Sequence, residues 1–278
     1  MRSNILADKF LLDDSERSQP LEIDERPFVM CDALHLPFKD KSVDYVICSH
    51  VAEHLEEPEV LLAELNRVAP AGYVECPGRI REMFHGWDYH RWYVHIENDK
   101  LVFEEKRGPL HDPELHEWSA RFFETDPVFE QFFLDNMERL GLVTAYDWVG
   151  RIKAVVRRLP GSNWKRTAAK LETSGALSKD ELSLQLQRAP RRAFTRNEKL
   201  KKRLAKIARR QSDPIAAARL RSILCCPKCK GDLMDVPEGL FCDTCRATFP
   251  VVGNVYYLVP EQVANWQPEQ SMEFVPAH

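Results

Sequence analysis

"CDALHLPFKDKSVDYVICSHVAEHLEEPEVLLAELNRVAPAGYVECP", residues 31–77, sets two short apolar runs on either side of one helical stretch. "SVDYVICSH" (42–50) and "AGYVECP" (71–77) are brief and nearly continuous in apolarity, as strands buried on both faces are. Between them lies "EEPEVLLAELNRVA" (56–69). There Pro58 suits a first helical turn, the glutamates before it suit the positive helix end, and Leu61, Leu65 and Val68 recur on one face. Strand, helix, strand is a right-handed crossover of an α/β fold. Upstream, "SNILADKF" (3–10) reads as a strand ending in Asp8, and "RPFVMCDA" (26–33) as a strand ending in Asp32.

The chain has 278 residues, 44% hydrophobic, with a net charge of −4. That suits a folded protein with one large core or two unequal ones. No apolar run reaches the roughly eighteen residues of a membrane span. The start, "MRSNILADKFLLDDSER", places charges where a signal peptide keeps an apolar stretch. A cytoplasmic, membrane-free protein is therefore expected. Of eight cysteines, Cys31, Cys48 and Cys76 stand singly in strand-like runs and read as small buried hydrophobes.

Beyond Pro77, "RWYVHIENDKLVFEEK" (91–106) holds two extended runs around Asn98 and Asp99, a hairpin signal. A helical pair is expected over 112–142, and "TAYDWVGRIKAVV" (144–156) is a candidate to close the sheet. Residues 151–222 carry 21 Lys and Arg against 5 Asp and Glu, leaving the rest acidic. Within that stretch "TRNEKLKKRLAKIARR" (195–210) reads as a solvated helix, either a linker or a surface for RNA or a protein partner. These shifts divide the chain into a domain over 1–150, a basic helical linker over 151–215 and a small domain over 216–278.

In that last part, "LCCPKCKGDLMDVPEGLFCDTCRATFP" (224–250) contains C-x2-C, twelve residues, then C-x2-C. Each C-x2-C turn aims two sulfurs and nearby amides at one ion, so Cys226, Cys229, Cys242 and Cys245 are expected to close a tetrahedron around a structural zinc. A closed tetrahedron leaves no position for reactive water, so the ion would supply folding energy. Disulfides or free thiols are the alternative, and Cys225 is a spare. "ILCCPKCKGDL" and "LFCDTCRATFPVVGNVYYLVPE" resemble the small zinc-ribbon family that activates tRNA, rRNA and release-factor methyltransferases. That family often has Asp-Gly-Ile-Pro where "VGNVYY" stands here.

Taken as strand, loop, strand, helix and strand, residues 31–77 resemble the class I S-adenosylmethionine-dependent methyltransferases of the small type 11 group. "CDALHLPFKDKSVDYVICSHVAEHLEEPEVLLAELNRV" follows that group's pattern closely. The resemblance implies a Rossmann-like methyltransferase sheet and S-adenosyl-L-methionine as methyl donor. Asp32 would accept from the adenine amino group, with the amides of Ala33 and Leu34 at the ring edge. Asp8 would take the ribose hydroxyls, and Ser49 and His50 would line the methionine side. His54 either faces the pocket or packs, and Asp44 reads as a strand-start residue. Displacement at an activated sulfonium needs mainly alignment and exclusion of water. A hydroxyl acceptor would also need a general base, for which His50 and His90 are candidates on residue type.

That family's glycine-rich turn follows a first strand at the sheet's centre, whereas here no glycine precedes Gly72. The first strand and its turn are expected to be missing. Three remedies are open: a start upstream of Met1, direct pairing of the flanking strands, or a strand from a partner. The resulting expectation is a methyltransferase with a fused ribbon acting as activator or docking module, its methyl acceptor unspecified. The competing one is a non-catalytic remnant that binds a partner methyltransferase or RNA through the basic segment and the ribbon.

Overall fold

The computed structural model describes residues 3–10, 21, 24–85, 87, 89–107, 118, 121–122, 125–137, 139–161, 214–237 and 239–259. The basic helix expected over 195–210 and most of the first helix of the 112–142 pair lie outside these. By contacts the chain forms two compact units, 1–42 with 189–278, and 43–188.

The first unit is built on one six-stranded sheet. Strand β1 (Leu6–Asp8) runs parallel to β2 (Phe28–Met30), in register Leu6 to Phe28 and Asp8 to Met30. The other four strands are β9 (Met234–Val236), β10 (Gly239–Cys242), β11 (Ala247–Val252) and β12 (Val255–Tyr257). They form an antiparallel meander whose last strand pairs in parallel with β2, giving the order β1-β2-β12-β11-β10-β9. These four strands, which carry or flank the C-terminal cysteines, thus continue the sheet begun by residues 6–8. Phe28, Met30, Val255 and Val259 share one buried cluster, with Leu6 and Tyr257 packed against it. Asn254, fully buried, donates through Nδ2 to the carbonyls of Asp24 (3.2 Å) and Arg26 (2.9 Å), while its backbone carbonyl accepts from the Phe28 amide (2.9 Å). A helix, Pro214–Ile223, leads into the ribbon, where the Cys225 amide donates to the Pro37 carbonyl (2.9 Å).

The second unit holds the crossover. β3 (Val46–Ser49), helix α1 (Pro58–Val68) and β4 (Ala71–Pro77) follow in order, β3 and β4 parallel. Pro58 occupies the first turn of α1, and Leu61, Leu62, Leu65 and Val68 are buried, as the apolar spacing requires. β7 (Val143–Val149) lies antiparallel on the other side of β4. Gly72 is dictated by this sandwiching, since a Cβ there would sit 2.4 Å from the Val46 carbonyl oxygen and 2.9 Å from the Trp148 ring.

The expected hairpin is present as β5 (Trp92–Glu97) and β6 (Lys100–Glu105), with Asn98 and Asp99 at φ 50° and 58° in the turn. Two central residues with positive φ match the right-handed strand twist. The run expected to close the sheet is instead two strands. After β7 the chain turns at Gly150 (φ 79°), and β8 (Ala154–Arg157) pairs in parallel with β6. Helix α2 (Arg79–His85) joins β4 to the hairpin. Beyond the hairpin, helix Pro127–Asp135 is capped by Asp126, whose Oδ1 accepts from the amides of Val128 (2.9 Å) and Phe129 (3.1 Å).

Among the described residues β1 pairs only with β2, and β3 only with β4. Direct pairing of the strands flanking the missing one, one of the three remedies, is therefore not what the ladders show. No helix of the described residues is long and apolar enough to cross a membrane.

Candidate functional site

Residues proposed from the sequence fall into three groups. In the first unit, Asp8 ends β1 and Asp32 follows the adjacent β2 at the carboxyl ends of parallel strands, where α/β sheets bind ligands. Asp8 Oδ1 accepts from the Phe10 amide (3.0 Å). Asp32 caps a 3-10 turn over Ala33–His35, its Oδ1 accepting from the Leu34 amide (2.9 Å) and its Oδ2 from the Lys9 ammonium (2.8 Å). Burial pushes the Asp32 carboxyl upward, but Lys9 and the Leu34 amide together hold it below the ordinary aspartate value. The amide at 34 therefore faces Asp32 itself, and a ligand amino group approaching Oδ2 meets Lys9.

Also in the first unit, the four ribbon cysteines converge. Cys226 and Cys245 sulfurs lie 3.8 Å apart, Cys229 and Cys242 sulfurs 3.5 Å apart, and the four can hold one metal ion. The Gly231 amide points at Cys229 Sγ and the Cys245 amide at Cys242 Sγ, each at 3.4 Å. The Gly231 amide, with help from the neighbouring thiols, lowers Cys229 to about 7, while Cys245 is pushed up to about 12 beside it. Cys229 thus gives up its proton more readily than Cys245. Cys225 is buried and outside the group, and Cys31, Cys48 and Cys76 are buried singly, as expected.

The second unit brings together Ser49, His50, His54 and His90 with three glutamates that the sequence did not single out. Ser49 Oγ donates to Glu75 Oε1 (2.9 Å), and Tyr73 OH donates to Glu75 Oε2 (2.6 Å). His50 sits just past β3 at φ 54°, a left-handed conformation uncommon for a side-chain-bearing residue and associated with functional sites. Its Nδ1 donates to Glu53 Oε1 (3.2 Å), and its Nε2 lies 3.4 Å from Glu75 Oε1. Glu53 is the chief reason the His50 imidazole is raised above its ordinary value, with Glu75 adding and burial opposing.

Glu53 is buried in a 3-10 turn, Ala52–His54. Burial raises its carboxyl, yet His50, His54 and His90 together hold it below the ordinary value. His90 is buried as well, and Glu82 Oε1 accepts from its Nδ1 (2.5 Å), with the Lys106 ammonium on the other Glu82 oxygen. Desolvation holds the His90 imidazole below its ordinary value against the pull of Glu82. The hairpin explains these pairs: its strands bring Lys106 beside Arg91, whose carbonyl accepts from the Lys106 amide (3.0 Å), and Arg91 Nη2 donates to Glu105 Oε1 (2.8 Å). His54 stacks on Tyr89 and meets His90 edge-on at 4.5 Å between ring centres. Of its two alternatives, His54 thus packs, against the rings of Tyr89 and His90.

Residues 8–76 match the model of a family described as a methyltransferase domain. The match begins at Asp8, the last residue of β1, and takes in β2 of the first unit and β3, α1 and all but the last residue of β4 of the second. It supports a methyltransferase in general and, with it, use of S-adenosylmethionine. No match is found among curated proteins or solved structures.

Proposed function

We propose that the chain is an S-adenosylmethionine-dependent methyltransferase whose zinc ribbon is built into its cofactor-binding unit. The observation that carries this is the placement of Asp8 and Asp32 at the ends of adjacent parallel strands, inside the span matching the methyltransferase domain. Two carboxylates there suit the adenosine half: Asp8 would accept from the ribose hydroxyls, and Asp32 from the adenine amino group once Lys9 swings aside. Ala33 and Leu34 would border the ring. When bound, the cofactor supplies a methyl group already activated on a sulfonium.

Within the second unit, His50 has the chemistry to take a proton from an acceptor hydroxyl. Glu53 steadies the imidazolium that forms, and Ser49 and Glu75 hold the other side of the ring's surroundings. His90 is less suited to that role, because it is buried and its Nδ1 is committed to Glu82.

The Cys226, Cys229, Cys242 and Cys245 set fits zinc by its four sulfurs and its two amide–sulfur bonds. The ribbon contributes a strand beside β2, so zinc would stabilise the unit that carries Asp8 and Asp32. Docking of a substrate or of RNA would fall to the basic segment and the ribbon's outer face.

Retention of radiolabelled S-adenosylmethionine by the full chain tests this reading. Asp8→Asn and Asp32→Asn are each expected to weaken retention tenfold or more, whereas Lys9→Ala, which frees Asp32 Oδ2, is expected to leave it unchanged or strengthen it. Retention unchanged in both aspartate variants contradicts the assignment. A second reading, a non-catalytic scaffold for a partner methyltransferase or RNA, is favoured by the lack of any glycine before Gly72. It expects no cofactor retention, and RNA binding that falls steeply with salt.

A further inference from the structure

Glu53, His54 and His90 are a second set of metal-type donors, confined to the second unit and chemically unlike the four cysteines. One ligand atom from each lies within 4.8 Å of the others. The 3-10 turn Ala52–His54 sets Glu53 and His54 side by side, and the Arg91 amide donating to the Glu53 carbonyl (2.8 Å) ties that turn to the strand beginning next to His90.

Two details distinguish the cluster from an ordinary buried ion-pair network. Glu53 is 1% exposed, its Oε1 takes His50, and its Oε2 accepts no hydrogen bond among the described residues. A buried carboxylate oxygen left so is costly unless positive charge is supplied. The nearby buried cations are engaged elsewhere, Lys106 with Glu82 and Arg91 with Glu105. Beside Glu53 the Cys76 thiol is driven well above its ordinary value, by burial first and by the Glu53 charge second, so it stays neutral and brings a weak S–H donor but no positive charge.

The second detail is the tautomer of His90. A carboxylate that also holds an ammonium is an acceptor, so Nδ1 carries the proton towards Glu82 and Nε2 keeps its lone pair. Carboxylate, then histidine, then open nitrogen is the arrangement by which proteins orient a metal-binding imidazole. Trp87 and Tyr89, with ring centres 4.8 Å and 4.7 Å from that of His90, wall the cluster.

We propose that Glu53, His54 and His90 bind a divalent transition-metal ion, with Glu82 as the positioning residue for His90. Two imidazoles and one carboxylate suit zinc, cobalt, nickel or ferrous iron better than magnesium or calcium, and three protein ligands leave a coordination position open. Small side-chain rotations bring the three donors to the roughly 2.0–2.2 Å at which zinc takes nitrogen and carboxylate oxygen. The site does not depend on the methyltransferase reading, since a scaffold with the same residues would bind the ion equally.

The test uses the full chain with its cysteine site filled by zinc, titrated with cobalt(II). The wild type is expected to take up one further ion per chain, with the weak visible bands of a nitrogen and oxygen environment and no thiolate charge-transfer band. Glu53→Gln and His90→Asn are each expected to weaken uptake a hundredfold or more, and Glu82→Gln about ten- to a hundredfold. His54→Gln, at a half-buried position, is the variant least disturbing to folding and should lose uptake with the thermal transition kept. Zinc held at one per chain in every variant reports an intact ribbon. Failure of the wild type to bind a further ion overturns the site whatever the variants do. So does uptake undiminished in His54→Gln and Glu53→Gln.

Discussion

Asp32 is the residue at which local structure and proposed chemistry meet. Its carboxylate caps a turn through the Leu34 amide and pairs with Lys9, and these outweigh the upward push of burial to leave its folded pKa below the unfolded value. A carboxyl depressed on folding stabilises the protein fully above the ordinary aspartate value of about 3.9, and the stabilisation is lost as pH falls through the lower folded value. Urea unfolding of wild type and Asp32→Asn should therefore differ by a constant amount from neutrality down to about pH 5, and the gap should shrink below that. A gap that stays level down to pH 2 contradicts the assignment. At this scale the sequence was legible where chemistry is local. Asp8 and Asp32 could be placed at strand ends, and the cysteine spacing foretold the convergence of four sulfurs. What stayed hidden were the pairs formed across folded distance, Glu82 with Lys106 and Arg91 with Glu105, 24 and 14 residues apart. Neither spacing has a periodic signal, because the hairpin and α2 create the proximity.

Among the elements, the crossover β3, α1 and β4 is the part most fully written in the residue pattern. Proline at the first helical turn, leucines on one face and two apolar runs leave little choice. Gly72 shows how tightly β4 is then held between β3 and β7. Gly72→Ala forces a methyl group against the Val46 carbonyl and the Trp148 ring, and should destabilise the protein by about 1–3 kcal/mol, read from the denaturant midpoint. An unchanged midpoint would mean that the β3–β4–β7 ladder is looser than its register implies. Of the run over 144–156, the first half joins β4 as expected, while the second half was not legible because the apolar run continues through Gly150, where the chain needs a positive φ and enters a second sheet. The six-stranded sheet was not legible at all. β12 pairs with β2 across more than two hundred residues, and short strands such as Phe28–Met30 announce no partner. This pairing has a consequence for metal removal. Stripping zinc with a chelator should abolish hydrogen-exchange protection at residues 28–30 together with that of the ribbon strands. Protection kept at 28–30 while residues 239–257 exchange freely would show the ribbon to be independent of β2.

Across the whole molecule, two compact units divide the proposed chemistry. One carries Asp8, Asp32 and the four cysteines, and the other carries the histidine and glutamate cluster. The methyltransferase-like span runs through both, from residue 8 to residue 76, without a glycine before Gly72. In such folds that glycine turn lets the backbone approach the cofactor closely. Cofactor affinity of this chain is therefore the decisive property, more than catalysis with any one acceptor. The most direct measurement is a calorimetric titration of S-adenosylhomocysteine into the folded, zinc-loaded full chain. Heat fitting one site per chain, and lost in Asp8→Asn, is the result expected of a methyltransferase. A folded sample that gives no heat at saturating ligand contradicts that reading and leaves a scaffold of the same fold.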